Sequence, residues 1–454
     1  MTIAFSLKTL CLVMLSVAAV GLQSARAASP DDLGKSLTPL GAERAGNADG
    51  SIPAWNGGYT TVDPSYKPGG KRGDPFASDK PLFSITAKNL DQYAGKLTEG
   101  TKAMFKRYPD TYRIDVYQTR RTAAAPQWVY DNTLKNARQA KLVEKGSGPM
   151  PEGAYGGIPF PIPKSGVEAM WNHLLNWRGT SLSMDTRHYL ITADGTQVMV
   201  TDGKGVQEMP YYYPESNGEN YDGYYWMFRM VNIGPPLRAG EQILGRLNLD
   251  ADKDQNYSYL VGQRRVRKLP NACCDTPMPA SAGVMTFDET NLYEGRMDRF
   301  NWKLIGKQEM YVPYNTNKLQ AAAKPEDVLG KHHLNPDYLR WELHRVWVVE
   351  AELAPGKRHQ SPKSRYYLDE DTWQAILGER WDANGQLAKS LWSTPQVMPD
   401  IPAVAQVSSG FYDLISGAWF IQSLYAGKES QYGVVGRYKA SEFQPAAMAG
   451  SGVR

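Results

Sequence analysis

From Arg187 onward, apolar and polar residues alternate in short runs with a period of two. That alternation predicts β-strands with one buried face, at 187–192, 197–201, 224–233, 242–249, 257–269, 300–312, 341–353, 364–368, 376–381, 386–392 and 412–424. Asp194-Gly195, Asp202-Gly203 and Asn384-Gly385 punctuate the runs as tight-turn dipeptides. Long helical patterns between them are scarce, so the strands are expected to pair antiparallel. Parity divides the runs further. Tyr224, Trp226, Phe228 and Met230 share a face opposite Arg229, and Phe300, Trp302 and Leu304 oppose Asn301 and Lys303. Trp341, Leu343, Trp347 and Val349 oppose Glu342, His344, Glu350 and Glu352. An aromatic face and a polar face predict a sheet that curves over something apolar, either its own helices or a ligand.

The candidate lining of such a ligand site is Tyr224, Trp226, Phe228, Phe300, Trp302, Trp341, Leu343 and Trp347. Arg345 falls on the apolar parity, and a buried charge is costly unless paired. It is the candidate contact for a ligand's polar head; the alternatives are a buried carboxylate, snorkelling at a sheet edge or a bulge that breaks the parity.

The first part of the chain reads differently. Ser29-Pro30-Asp31-Asp32 predicts a short capped helix to about Leu37, and residues 38–85 are Gly- and Pro-rich with little periodicity. Leu90 to Tyr108 suggests a helical region that Pro109 stops, and Asn132 to Lys145 suggests another. Between Gly146 and Gly166, 11 of 21 residues are Gly or Pro, which predicts a rigid connector. Ser165-Gly166-Val167-Glu168 then opens a helix as a capping box. The expected organisation is a wrapping region over 28–164 and a sheet region over 165–454, forming one folding unit.

Residues 1–27 are expected to be a cleaved signal peptide: Lys8 precedes an apolar run, and Ala25-Arg26-Ala27 has the form of a cleavage site. Removal takes Lys8 and Arg26 and no acid, lowering the formal charge from +4 to +2. So small a charge argues against a nucleic-acid partner, and no later run is long enough for a membrane-spanning helix. Cys11 lies in the signal. Cys273 and Cys274 are adjacent, open to a strained vicinal disulfide, two free thiols or pairing with another molecule.

Chemistry-bearing motifs are sparse. A nucleophile elbow, a phosphate loop, a dinucleotide fingerprint and an H-E-x-x-H pair are all absent from the sequence. Asp250, Asp252 and Asp254 open like a calcium loop, but Gln255 stands where Gly is needed and Val261 where Glu is needed. His332-His333 reads as a solvated pair, and Glu350 with Glu352 as a solvated strand face. No catalytic residue, metal ligand or cofactor is expected, and the protein is read as non-enzymatic.

Three longer stretches carry a resemblance. Leu37 to Asn47 with Asp49 to Trp55, then Gly157 to Pro163 with Trp171-Asn172-His173, and Tyr293 to Lys303 with Lys307 to Asn315, resemble the blocks of domain of unknown function family 1329. That family is similar to the periplasmic lipoprotein carriers LolA and LolB, whose strand-and-turn pattern resembles Trp347 with Tyr366 to Trp373. The resemblance implies an α+β, mainly β fold: a strongly curved antiparallel sheet, an incomplete barrel, closed by helices over a hydrophobic cavity. It implies periplasmic binding or transfer of a lipid or other hydrophobic molecule, peripheral to the outer membrane, with an outer-membrane protein and an RND-type transporter as partners. The second reading, from 27 Tyr and 12 Trp, is binding of carbohydrate or a cell-envelope polymer.

Overall fold

The structure, a computed structural model, describes residues 28–451 apart from 217, 270, 271 and 431. The expected signal peptide, with Lys8, Cys11 and Arg26, lies outside the described residues. Eighteen strands follow one another along the described chain. They are β1 (Phe83–Ile85), β2 (Ile114–Val116), β3 (Lys141–Lys145), β4 (Gly148–Glu152), β5 (Ser181–Ile191) and β6 (Gln197–Glu208), then β7 (Tyr224–Gly234), β8 (Gln242–Asn248), β9 (Gln255–Leu260), β10 (Arg265–Lys268), β11 (Phe300–Pro313) and β12 (Trp341–Leu353). The last six are β13 (Lys363–Asp369), β14 (Ala375–Trp381), β15 (Leu387–Met398), β16 (Ala403–Asp413), β17 (Trp419–Leu424) and β18 (Gly433–Val434). Sixteen form one sheet in the order β1-β2-β12-β13-β14-β15-β16-β17-β5-β6-β7-β8-β9-β10, with β11 against β12 and β18 against β5. Pairing is antiparallel throughout except where β2 meets β12.

The expectation of a strongly curved, incomplete barrel closed by helices is corrected here. The sheet is open: its path ends at β1 and β10, which do not pair with each other. Both ends are short, three and four residues, and offer little edge with which to close. Helical cover is slight as well. The longest helices among the described residues are α1 (Glu99–Arg107), α2 (Gln127–Gln139) and α3 (Gly166–Leu174). What covers the sheet instead is irregular chain. Two large apolar clusters result, one gathering Trp171, Trp226, Phe300 and Tyr366, the other Phe105, Trp341, Tyr367 and Trp419. Strands β12 to β17 are therefore buried along most of their length on both sides.

Local chemistry explains most element boundaries. Thr98 Oγ1 caps α1 by accepting from Thr101 N at 3.0 Å, and Ser165 Oγ caps α3 by accepting from Glu168 N at 3.2 Å. The helix expected over 132–145 is instead α2, which ends at Gln139, followed by the hairpin β3–β4. Lys141 to Lys145 pairs residue for residue with Gly148 to Glu152, and Gly148, at φ 100°, lets the chain double back. The single strand expected over 412–424 is two strands, β16 and β17, turned at Ser416-Gly417. Asp202-Gly203 lies inside β6 at a register shift, not in a turn, whereas Asp194-Gly195 and Asn384-Gly385 do join neighbouring strands. No helix among the described residues is long and apolar enough to cross a membrane.

Candidate functional site

Two neighbourhoods hold the polar and aromatic residues that the sequence singles out. In the first, the turn after β13 meets the wrapping segment. Arg121 donates to both carboxylate oxygens of Asp371, at 2.9 and 2.6 Å, and to the backbone carbonyls of Glu43, Arg44, Ala45 and Pro53. Arg345 donates to Glu370 at 2.5 Å and to the carbonyls of Glu43 and Ala45. Trp373 Nε1 donates to Leu40 O at 2.7 Å. The guanidinium of Arg345, the candidate head-group contact, is thus occupied by Glu370 and the chain itself.

Beside this clamp, His344, Asp369 and Asp371 bring ligand-type atoms within 4.8 Å of one another. The donor set does not suit a cation. Asp371 already holds Arg121, and His344 Nε2 lies 3.0 Å from Glu342, which also accepts from Arg340 at 2.5 Å and Asn315 at 2.9 Å. A metal would compete with guanidinium groups for the same carboxylates. Burial and the neighbouring Asp371 push Asp369 up to about 6. Burial also pushes Glu342 upward, but the His344 bond and Arg340 outweigh it and hold the carboxyl below its usual range. Glu342 and His344, expected on the polar face of the strand, are fully buried because the second apolar cluster covers that side. Glu350, between β11 and β13, is by contrast partly exposed and pairs with Lys363 and Arg365 across the strands.

The second neighbourhood is a cavity of about 150 Å³ walled by β5, β7, β8 and the loop 272–297. Trp226 and Phe228 of β7 line it with ring centroids 4.8 Å apart, and Met184, Met230, Leu247 and Met278 complete an apolar wall. Trp226 is fixed by its Nε1, which donates to Gln207 at 2.9 Å. Phe228 lies over Gly245 in the paired register, where a Cβ would come within 2.4 Å of its ring. Glycine there is what admits the phenyl group.

Polar groups break the apolar wall at one side. Arg178 follows α3 and lies with its guanidinium carbon 5.0 Å from the centre of the Trp226 ring. Burial pushes Glu294 up to about 7, against the pull of Arg178, and its Oε1 accepts from Tyr225 OH at 2.5 Å. Burial likewise pushes Asp254 up to about 8 and His188 down to about 4. At neutral pH the imidazole is uncharged and Asp254 largely protonated; the cations of the lining are Arg178 and Arg296, and Arg296 is paired with Asp252 and Asp298. Cys273 also lines the cavity. A hydrogen bond from Cys274 lowers its thiol pKa to about 6, helped by Arg299 and Arg296.

Of the eight candidate lining residues, the structure brings only Trp226 and Phe228 to this cavity. Tyr224 is turned away by a bulge at Tyr225 and stacks under Arg246 instead. Phe300 and Trp302 pack with each other and with His359 and Tyr293, and Trp302 Nε1 donates to Met297 O. Trp347 stacks on Trp373, and Trp341 and Leu343 belong to the other cluster. Met230 shares the parity of Trp226 and reaches the cavity with it. Sequence reasoning missed Arg178, although it is the one formally charged side chain, histidine aside, from Ala169 to Leu182.

The three stretches that carry the family resemblance prove to be fastening points. Asn172 binds both the N–H and the carbonyl of Phe160, and His173 accepts from Ala375 N at 3.0 Å while its other nitrogen lies 3.1 Å from Tyr293 O. Asn315 joins Arg120 O to Glu342. Fold and site together define a β-rich chain strapped around an open sheet, with one apolar cavity that carries a buried cation. The chain belongs to the family described as "Protein of unknown function (DUF1329)", whose model matches residues 84–449. An uncharacterised protein of Pseudomonas aeruginosa is 39% identical over 456 residues, covering 97% of this chain and 98% of its own. Among solved structures, a DUF1329 family protein from Desulfovibrio piger is 12% identical, with a TM-score of 0.41 over 60% of this chain and 92% of its own. A putative outer membrane lipoprotein-sorting protein domain from Vibrio parahaemolyticus gives 12% and 0.40 over the same shares, and a LolA superfamily protein from Nitrosomonas europaea gives 8% and 0.35 over 62% and 98%.

Proposed function

We propose that this is an exported periplasmic protein that binds or transfers a hydrophobic molecule without chemical conversion, in association with an envelope transport system at the outer membrane. One observation supports it most: the cavity faced by Trp226, Phe228, Met184, Met230 and Leu247. Its volume sets the scale. A dry apolar cavity of about 150 Å³ holds a benzene-sized molecule, so the cargo is a small hydrophobe, or one end of a lipid chain whose remainder lies outside. At about 0.8 kcal/mol per buried methylene, four or five carbons contribute about 3–4 kcal/mol, which suits a carrier that must release what it takes up.

The test is native mass spectrometry of protein purified from a periplasm, followed by organic extraction and by uptake of a fluorescent fatty-acid probe. An extractable hydrophobe, or saturable uptake lost in Trp226→Ala, is expected. An empty protein that takes up no probe overturns the reading. A second reading, binding of carbohydrate or envelope polymer, is favoured by a polar groove of about 510 Å³ that presents Tyr155 and Tyr221 beside Glu152, Asp222 and Asp250. Retention on immobilised cell-envelope polysaccharide, lost on Tyr155→Ala, would support that reading.

A further inference from the structure

Six arginines are buried among the described residues, and five of them meet a carboxylate. Arg72 pairs with Asp400 at 2.6 Å, Arg121 with Asp371 at 2.6 Å, Arg340 with Glu342 at 2.5 Å, Arg345 with Glu370 at 2.5 Å, and Arg380 with Asp288 at 3.3 Å. Arg178 is the sixth. It is 7% exposed, lines the cavity, and has neither a carboxylate within ion-pair distance nor a hydrogen-bond acceptor among the described residues. Its one close charge-type contact is the face of Trp226. A guanidinium removed from water carries a large desolvation cost, and an aromatic face offsets only part of it.

We infer that Arg178 makes the cavity a site for a small hydrophobic acid, one whose carboxylate takes the guanidinium while its aromatic or short alkyl body lies against Trp226 and Phe228. The inference rests on the reading of this cavity as a binding site and goes beyond it by naming the ligand's chemical class. Arginine presents two parallel N–H groups that match a carboxylate, and in a site shielded from water that pair is strong and directional. The residue is also held in place beforehand. Trp177, next to it in the chain, is pinned edge-on to Trp128 and donates to Pro402 O at 2.9 Å. On the other side Gly179, at φ 99°, turns the chain into β5. Glu294, which feels Arg178 electrostatically from beyond ion-pair distance, takes its hydrogen bond from Tyr225 OH. The cavity also matches the ligand in size: room for one ring, with Arg178 at its side as the cation that no acid holds, since Arg296, also in the lining, is paired with Asp252 and Asp298.

The experiment compares three probes with the same body by calorimetry on the full mature chain: 3-phenylpropionate, 3-phenylpropanol and 3-phenylpropylamine. Wild-type protein is expected to bind the acid at least tenfold more tightly than the alcohol, and the amine most weakly. In Arg178→Met the acid should lose at least tenfold while the alcohol holds its affinity; Arg178→Lys should keep part of the preference. Equal binding of acid and alcohol by the wild type overturns the role of Arg178 and leaves the cavity as a binding site. Binding of none of the three overturns both. The wild-type comparison stands even where the variants fail to fold.

Discussion

Two buried polar regions of this molecule were built from the same residue types to opposite ends. Around Arg121, Arg345 and the turn Asp369-Glu370-Asp371, every guanidinium has a carboxylate and several carbonyls, and the space between them is filled. Around Arg178, carboxyls are protonated or engaged elsewhere, and the space is open. A satisfied buried network resists change, because removing one member strands the others. An unsatisfied one is costly to hold and gains most from a partner that arrives from outside. The contrast separates the group that fastens the fold from the group that is free to act, although the sequence marks both only as charges among apolar neighbours.

The sharpest way to break the comparison is to remove the fastener. Arg121→Ala should cost about 3–5 kcal/mol of stability in urea unfolding followed by tryptophan fluorescence, the loss typical of a broken buried pair. Arg345→Ala should lose stability in the same way and leave the affinities for neutral and anionic probes in their wild-type ratio. A selective loss of the anion would return the head-group role to Arg345. Next come the aromatic groups. Trp302→Ala, outside the cavity, should cost about 3 kcal/mol and spare probe binding. Trp226→Ala should lower probe affinity at least tenfold with a smaller loss of stability. Matched losses in the two variants would erase the distinction between packing and site.

A smaller effect follows from titration. Asp254 and Glu294 are raised to about 8 and 7, so the folded chain keeps protons that the unfolded chain, with ordinary carboxyls, has already released. Stability therefore falls as pH rises toward 8. His173 and His188, lowered to about 4, act in the opposite sense below pH 6.5, where the unfolded chain binds the extra protons. Cys273, lowered to about 6, acts against this fall above pH 6; in Cys273→Ser the melting temperature should therefore fall from pH 6.5 to 8.5, and adding Asp254→Asn should remove most of that fall. The mildest test is kinetic. Cys273 should react with iodoacetamide at neutral pH, and a bound hydrophobic probe should slow that alkylation several-fold; an unchanged rate would place the probe elsewhere.

Strands were legible because period-two alternation survives wherever one side of a strand is more apolar than the other. Strands β7, β8, β11 and β12 lie within a residue or two of their expected limits. Burial of the second side was not legible. Glu342 and His344 look solvated in sequence because the groups that satisfy them, Arg340, Asn315 and Arg120 N, come from other elements. Parity also fails at a bulge: one extra residue at Tyr225 turns Tyr224 away from Trp226. The curved, closing sheet followed from reading one face as polar, and it fell with that reading. Arg178 stood out only as a charge in an apolar run. What distinguishes it from Arg345 is the lack of a carboxylate within ion-pair distance among the described residues, a property of the assembled fold.

The clamp on the wrapping segment has a consequence for how the chain reaches its final state. Leu40 and Glu43 are held by Trp373 and Glu370, more than 320 residues further on. Arg121 and Ala123 can engage the segment earlier, through the Glu43 and Pro53 carbonyls and the Trp55 indole, but Leu40 and the Glu43 N–H are fastened only when the turn after β13 exists. Contacts of such long range make folding slow and leave apolar strands uncovered in the meantime.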